Sequence, residues 1–299
     1  MILKKANLIL FVLICLGFAG AAFSQETINF KEFVKEKLSK SQKIVTENGK
    51  QKIITGVKLS EVCDIDNDPI AKRVFADYGA IFVTGGGVHF PTKCIFTDEF
   101  EVIAYQAAAR SKSAEIGGVL IELQEPAMNA LLEAQKEAAK KNLKITVRDG
   151  AEGGARSYQK TVELWNSRFF PALNYWVQKG NIAPGDAAAV KAMPIRAQIA
   201  QVLKWEEKKL WFSTNRSISI FYSTAPPGAS QHVFMLAVDV EQYGNKQIRD
   251  ILAKYGWFQT VKNDLTHFTY LGLEKSELPK HGLKRKVIGG QEFWIPNMD

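Results

Sequence analysis

The chain has 299 residues, 46% of them hydrophobic and 23% charged, an ordinary globular composition with length enough for a substantial core. Its net charge of +8 suits an anionic polymer or membrane surface and equally suits plain solubility. No basic stripe interleaves with aromatic residues, which argues against a nucleic-acid partner.

The N-terminus reads as a targeting segment. Lys4 and Lys5 form a basic region, Leu8 to Ala22 is apolar and uncharged, and Ala22-Phe23-Ser24 offers small residues where a signal peptidase cuts. The sequence thus predicts a signal peptide over 1–24 and export to the periplasm, cell surface or extracellular medium. An uncleaved membrane anchor fits less well, because the apolar run is short. Cys15 follows the bulky Ile14 rather than the small residue that lipidation favours. Loss of Lys4 and Lys5 takes the net charge from +8 to +6 and leaves no membrane span. In an oxidising compartment the remaining pair, Cys63 and Cys94, is expected to form a disulfide. Free thiols and a soft metal site are the alternatives, the latter without a Cys-x-x-Cys to support it.

Residues 25–115 carry no motif with a chemical reading. Phe30, Phe33, Val34 and Leu38 predict a helix near 28–40. Short β-type runs are expected between Ala80 and Phe96, broken by a flexible turn at Gly85-Gly86-Gly87. No Lys-Ser or Lys-Thr follows these glycines, so they do not read as a phosphate loop. His89 beside them reads as a surface or packed histidine. Met128, Leu131, Leu132 and Ala139 predict a helix to about Lys141, with Gln135 interrupting its apolar face. Leu143 to Val147 reads as a strand leading into a glycine-rich loop, Asp149 to Gly154.

Arg156 and Ser157 open a second helix with Val162, Trp165 and Phe169 on its apolar side, kinked or ended at Pro171. Asp186 is expected to cap a further helix, and Pro194 to divide the segment running on to Trp211. Ile218, Ile220 and Tyr222 alternate as a strand, as do Leu236, Val238 and Val240. Asn245 is placed to cap a helix bearing Ile248, Ile251, Leu252 and Tyr255, with Gly256 ending it. Trp257–Val261 and His267–Leu271 read as two arms of a hairpin. Residues 274–299, with Lys280, Lys284, Arg285 and Lys286, read as a solvated basic tail.

The chemistry concentrates between Pro226 and His267. His232 and Asp239 stand at an H-x6-D spacing, and Asp264-Leu265-Thr266-His267 supplies a second imidazole with an acid before it. Two imidazoles and a carboxylate are what a catalytic zinc ion takes from a protein, leaving a fourth position open. An extended chain would hold His232 and Asp239 roughly 20 Å apart at about 3.3 Å per residue. Both reach one ion only if His232 lies in the turn after Gly228 and Asp239 on the strand that follows. There Asp239 shares a face with Ala237, opposite the oily face of Leu236, Val238 and Val240. A lone charge in such a run is destabilising unless it is paired or metal-bound. The chain has four histidines, and two of them fall in this pattern. Asp264, at the hairpin turn, is the candidate general base for water acidified by the ion; an ordinary turn aspartate is the alternative. Arg156 has the fork that grips a peptide carboxylate, although an arginine at a helix start is usually a surface charge.

The segment Gly228-Ala229-Ser230-Gln231-His232 through Ala237-Val238-Asp239 resembles the S-x-H-x-x-G-x-A-x-D signature of the zinc D-alanyl-D-alanine carboxypeptidases, the VanY-like family. Asp264 to Phe268 resembles the family's E-x-W-H segment, and Gly154-Ala155-Arg156-Ser157-Tyr158-Gln159 its S-G-Y-R-S…Q segment. The resemblance spans roughly 120–272. It implies zinc on His232, Asp239 and His267, Asp264 as base, and Arg156, Ser230 and Gln159 at the peptide. It further implies an α+β fold, with helices packed on a small antiparallel sheet that carries the zinc site. The peptidase core would then run over 116–273, behind an N-terminal extension. Three departures stand out: Met235 in place of glycine, Ala155 with extra residues before the arginine, and Asp264 in place of glutamate.

The leading expectation is a secreted zinc metallopeptidase acting on peptidoglycan stem peptides, most simply a D-alanyl-D-alanine carboxypeptidase. The alternative is a catalytically inactive wall-binding or assembly protein of the same fold. Paired acids of the kind needed for glycan hydrolysis are missing from the sequence pattern. The sequence leaves open which peptide bond is cut, and the oligomeric state.

Overall fold

The computed structural model describes residues 28–47 and 50–299, with the backbone course alone for the strand residues between 42 and 54. The expected signal peptide over 1–24 lies outside these residues. Helix α1 spans Phe30–Ser39, and the Asn29 side chain accepts from the Glu32 N–H. Phe30, Val34 and Leu38, four residues apart, are its buried stripe. A hairpin follows, β1 (Gln42–Glu47) with β2 (Lys50–Thr55), then the short α2 (Leu59–Val62). Helix α3 (Pro69–Tyr78) starts at Asp68, whose side chain accepts from the Ile70 N–H. Cys63 and Cys94 are bonded across 31 residues, as expected.

The strands expected between Ala80 and Phe96 are not formed. Gly79–Val83 is a tight 3-10 turn, every residue buried, and the stretch beyond is irregular. A short apolar run looks the same to periodicity whether it enters a sheet or a buried turn. Gly86 and Gly87, at φ +74° and +78°, make the expected turn.

Helix α4 (Glu99–Ala108) and the hairpin β3 (Ser111–Ile116) with β4 (Val119–Gln124) lead into α5 (Glu125–Lys140). The buried stripe of α5 runs through Ala127, Met128, Leu131, Ala134 and Ala138. Leu132 is only partly buried and Ala139 is exposed, so the expected face is rotated; alanines, being small, mark it weakly in sequence. Between Leu143 and Val147 there is one bridge, Val147 to Val240, rather than a strand.

Helix α6 (Tyr158–Gln178) runs through Pro171 without ending. Pro171 and Ser167 are both exposed, so the carbonyl that proline deprives of its donor meets water. In α7 (Pro184–Lys191) Ala183 takes the cap position and Asp186 sits inside the first turn, because Pro184 already fixes helical φ. Pro194 caps α8 (Ile195–Glu207). The expected strand at Ile218–Tyr222 is instead a 3-10 turn over Ile220–Tyr222. Buried Glu206 explains it: its Oε1 accepts from the N–H groups of Ile220 (2.7 Å) and Phe212 (3.3 Å).

Strand β5 (Ala237–Asp239) is followed by α9 (Lys246–Lys254), capped by Asn245 and closed by Gly256 at φ +78°. Strands β6 (Trp257–Phe258) and β7 (His267–Tyr270) complete an antiparallel sheet ordered β5-β7-β6. The arrangement is α+β, with helices packed on small antiparallel sheets.

The C-terminal stretch is not a solvated tail. It forms a hairpin, β8 (Leu283–Ile288) with β9 (Gln291–Pro296), that buries Leu278, Leu283 and Phe293. The Trp294 N–H donates to Gln259 O, and the Phe30 N–H to Asn297 O, each at 2.8 Å. The hairpin therefore joins the β6 end of the sheet to α1. Lys284 and Arg285 of β8 are ion-paired to Asp299 and Glu292, and Lys280, in the turn before the hairpin, to Glu277. Among the described residues no helix is long and apolar enough to cross a membrane.

Candidate metal centre

The chain folds back between His232 and Asp239 as their spacing requires. Gly228, at φ +76°, lies so close to Phe96 that a Cβ would stand 1.9 Å from its carbonyl oxygen. Only glycine fits there. The Gln231–Phe234 turn follows, with Ser230 Oγ accepting from the His232 N–H. Met235 then turns the backbone through the left-handed region at φ 55°, ψ 32°, and β5 begins. Asp239 on β5 is the register partner of His267 on β7, so both side chains leave one face of the sheet.

His232, Asp239 and His267 converge, all three buried. His232 Nε2 stands 3.1 Å from His267 Nδ1 and 3.4 Å from Asp239 Oδ2; His267 Nδ1 is 3.5 Å from Asp239 Oδ1. An ion bound tetrahedrally at about 2.0–2.2 Å places neighbouring donors roughly 3.3–3.6 Å apart. Both carboxylate–imidazole separations match, and the two ring nitrogens stand slightly closer, so the donor set fits zinc after the rings part by a few tenths of an ångström. The outer nitrogens fix the tautomers. His232 Nδ1–H donates to Gly154 O at 2.7 Å, and His267 Nε2–H to Gln231 Oε1 at 2.8 Å. Both lone pairs are thereby turned toward one point beside the carboxylate, a mutually repulsive pose unless a cation lies between them. Burial, aided by the Arg156 guanidinium, pushes His232 down to about 4, so the imidazole is neutral and able to ligate. Burial opposes ionisation of Asp239, and protons on the facing imidazoles would hold its carboxyl well below the usual range; with the rings neutral, a cation is what would take over that part.

Other expected residues are distributed unevenly. A cavity of about 200 Å³ opens in front of the three donors and is lined by Arg156, Ser230 and Asp264 among others. Burial raises the Asp264 carboxyl, with the Asp239 charge adding to it and His267 opposing. Arg156 does not present a free fork: its Nη2 bonds Asp239 Oδ2 and its Nε donates to Glu152 O at 2.6 Å. Gln159 does not reach the cavity. It is exposed on α6, where its backbone N–H donates to Glu99 at 2.8 Å. The first turn of α6, which begins at Tyr158, points this residue outward.

Sequence reasoning missed the residues that hold the donors. Gln231, fully buried, accepts from His267 and from Thr260 and Thr269, and donates through Nε2 to Tyr78 O at 2.8 Å. Adjacency to His232 was its only signal. Gln106 Nε2 donates to Arg156 O (2.9 Å) and Val233 O (3.1 Å), and Gln124 Nε2 to Phe234 O (2.9 Å). Residues before 116 thus buttress the loops of the centre, and the disulfide secures the segment bearing Phe96. Met235 lies outside the cavity lining, buried in the core; its cost is backbone strain rather than crowding. Gln231→Leu is expected to weaken zinc binding about 10- to 100-fold by freeing the His267 ring. A competitive zinc titration reads this directly, and an unaltered affinity would show that Gln231 has no orienting part.

No protein-family model and no curated protein matches the chain. Solved structures similar to it include a zinc-bound mutant of the vancomycin-resistance D,D-pentapeptidase VanY from the VanB-type cassette. That likeness has 17% identity, covers 59% of this chain and 88% of the other, and has a TM-score of 0.34. VanYB in complex with D-alanine-D-alanine matches at 17% identity over 57% and 83%, with a TM-score of 0.34. The LD-carboxypeptidase LdcB matches at 18% over 52% and 61%, with a TM-score of 0.29. Likenesses this distant do not establish a shared fold, and the functional reading rests on the site itself.

Proposed function

We propose that the chain is an exported zinc peptidase that hydrolyses peptidoglycan stem peptides, most simply as a D-alanyl-D-alanine carboxypeptidase. The observation that carries this reading is the convergence of His232, Asp239 and His267, with both imidazole tautomers set by Gly154 and Gln231. In this reading the β5-β7-β6 sheet and the turn before it carry the ion. Zinc held there would supply Lewis-acid polarisation of the scissile carbonyl and acidify water. Asp264 faces the same cavity, and its raised carboxyl suits a base that takes a proton from the attacking water and passes it to the leaving amine. Ser230 lines the cavity as a peptide contact. The substrate class follows from the likeness of the segments around Arg156, His232 and His267 to the VanY-like signature.

The second reading, a wall-binding protein without turnover, is favoured by one contact. Arg156 occupies the Asp239 oxygen that faces His232 and competes with a cation for it. Incubation of the zinc-loaded protein with a wall pentapeptide, followed by mass spectrometry, separates the two. Release of D-alanine that stops with chelator and returns with zinc is expected. Peptide binding without cleavage would establish the second reading.

A further inference from the structure

The cavity holds a second guanidinium that the proposed chemistry does not use. Thr161, Leu164 and Arg168 follow one another at three and four residues along α6, and all three line the cavity. Arg168 lies about 10 Å along the helix from Thr161, and the Thr161 hydroxyl in turn accepts from the Gly228 N–H at 3.1 Å. The two arginines are in opposite states. Arg156 is committed to Asp239 and to the Glu152 carbonyl. Arg168 has no ion-pair partner among the described residues, although Asp149 and Asp264 line the same cavity. Its Nη1 reaches only Ser167 Oγ, at 2.9 Å, and its Nε–H is buried with no acceptor.

A buried guanidinium donor without a partner is costly, and its planar fork matches a carboxylate with two parallel bonds. We propose that Arg168 reads a free carboxylate of the peptide substrate and so selects acidic wall peptides over neutral ones. This rests on the zinc-peptidase reading of the same cavity. The carboxylate has two possible sources, the peptide's C-terminus or a side branch further along the chain. Both offer the same chemistry to the guanidinium.

The test uses the zinc-loaded full chain and three forms of one wall pentapeptide: the free acid, the C-terminal amide and the side-branch amide. Hydrolysis is followed by kcat and KM, and binding separately by calorimetry. The wild type is expected to prefer the free acid over one of the amides by about 10- to 100-fold, which names the source. In Arg168→Gln that preference disappears through KM, and Arg168→Lys restores part of it. Equal binding of all three forms by the wild type overturns the proposal, as does a preference that survives in Arg168→Gln. The wild-type comparison needs no variant to fold. Failure of any form to be cleaved counts against the peptidase reading, while the calorimetric preference still decides the role of Arg168.

Discussion

Replacing His267 with alanine is expected to take the zinc content of the purified protein from one ion per chain to none. Hydrolysis of wall peptides should fall at least about 1,000-fold, or roughly 4 kcal/mol of transition-state stabilisation. The effect is large because the ring, opposite Asp239 in the sheet, is one of the three donors that converge among the described residues. Two protein donors are too few for a catalytic zinc site, which takes three. His232→Ala should behave the same way, since its Nε2 is the donor closest to His267. His281 provides the control. It bonds the Glu277 carbonyl at 2.9 Å in the turn before β8, and its replacement should leave zinc content unchanged. Metal analysis after gel filtration reads all three variants; a His267→Ala protein that still carries one zinc would remove that ring from the centre.

Asp264→Asn should separate binding from turnover. The amide has the same shape, retains a partner in Thr266 and is not one of the three donors, so zinc content should stay at one per chain. An amide cannot accept the proton of an attacking water, and general-base catalysis typically contributes 100- to 10,000-fold, so kcat should drop by about that much. A variant with full kcat would reassign Asp264 to an ordinary turn role. One that also loses zinc would place it among the ligands.

The convergence of His232, Asp239 and His267 was legible in sequence because its geometry follows from local rules. An H-x6-D spacing can serve one ion only through a turn and a strand, and that is how residues 228–239 fold. Helices α1 and α9 and the β6–β7 hairpin were legible for the same reason: periodicity in both helices, and at α9 an asparagine cap and a terminating glycine, act over a few residues. What was illegible depends on distant partners. The alternation at Ile218–Tyr222 looks like a strand until Glu206, on another helix, claims the backbone N–H groups. The C-terminal charges concealed a hairpin whose inward residues, Leu283 and Phe293, lie between them.

The site residues divide along the same line. Ser230 stands next to the turn that its own sequence motif specifies, and it lines the cavity. Gln159 was carried over from a loosely aligned loop, and the extra residues before Arg156 leave it on the outer side of α6. Gln231, the residue that orients His267, carries no signature, because an amide accepting three hydrogen bonds from separate strands and loops is a tertiary fact. Met235 is legible only in hindsight: a position that needs φ 55° is one where glycine would be free of strain.

Everything mechanistic here requires those donors to share a single cation. Crystals of the zinc-loaded protein, measured on either side of the zinc absorption edge, test this most directly. One anomalous peak is expected about 2.0–2.2 Å from His232 Nε2, His267 Nδ1 and a carboxylate oxygen of Asp239. A map with no peak there, or with its zinc bound elsewhere on the chain, would contradict it.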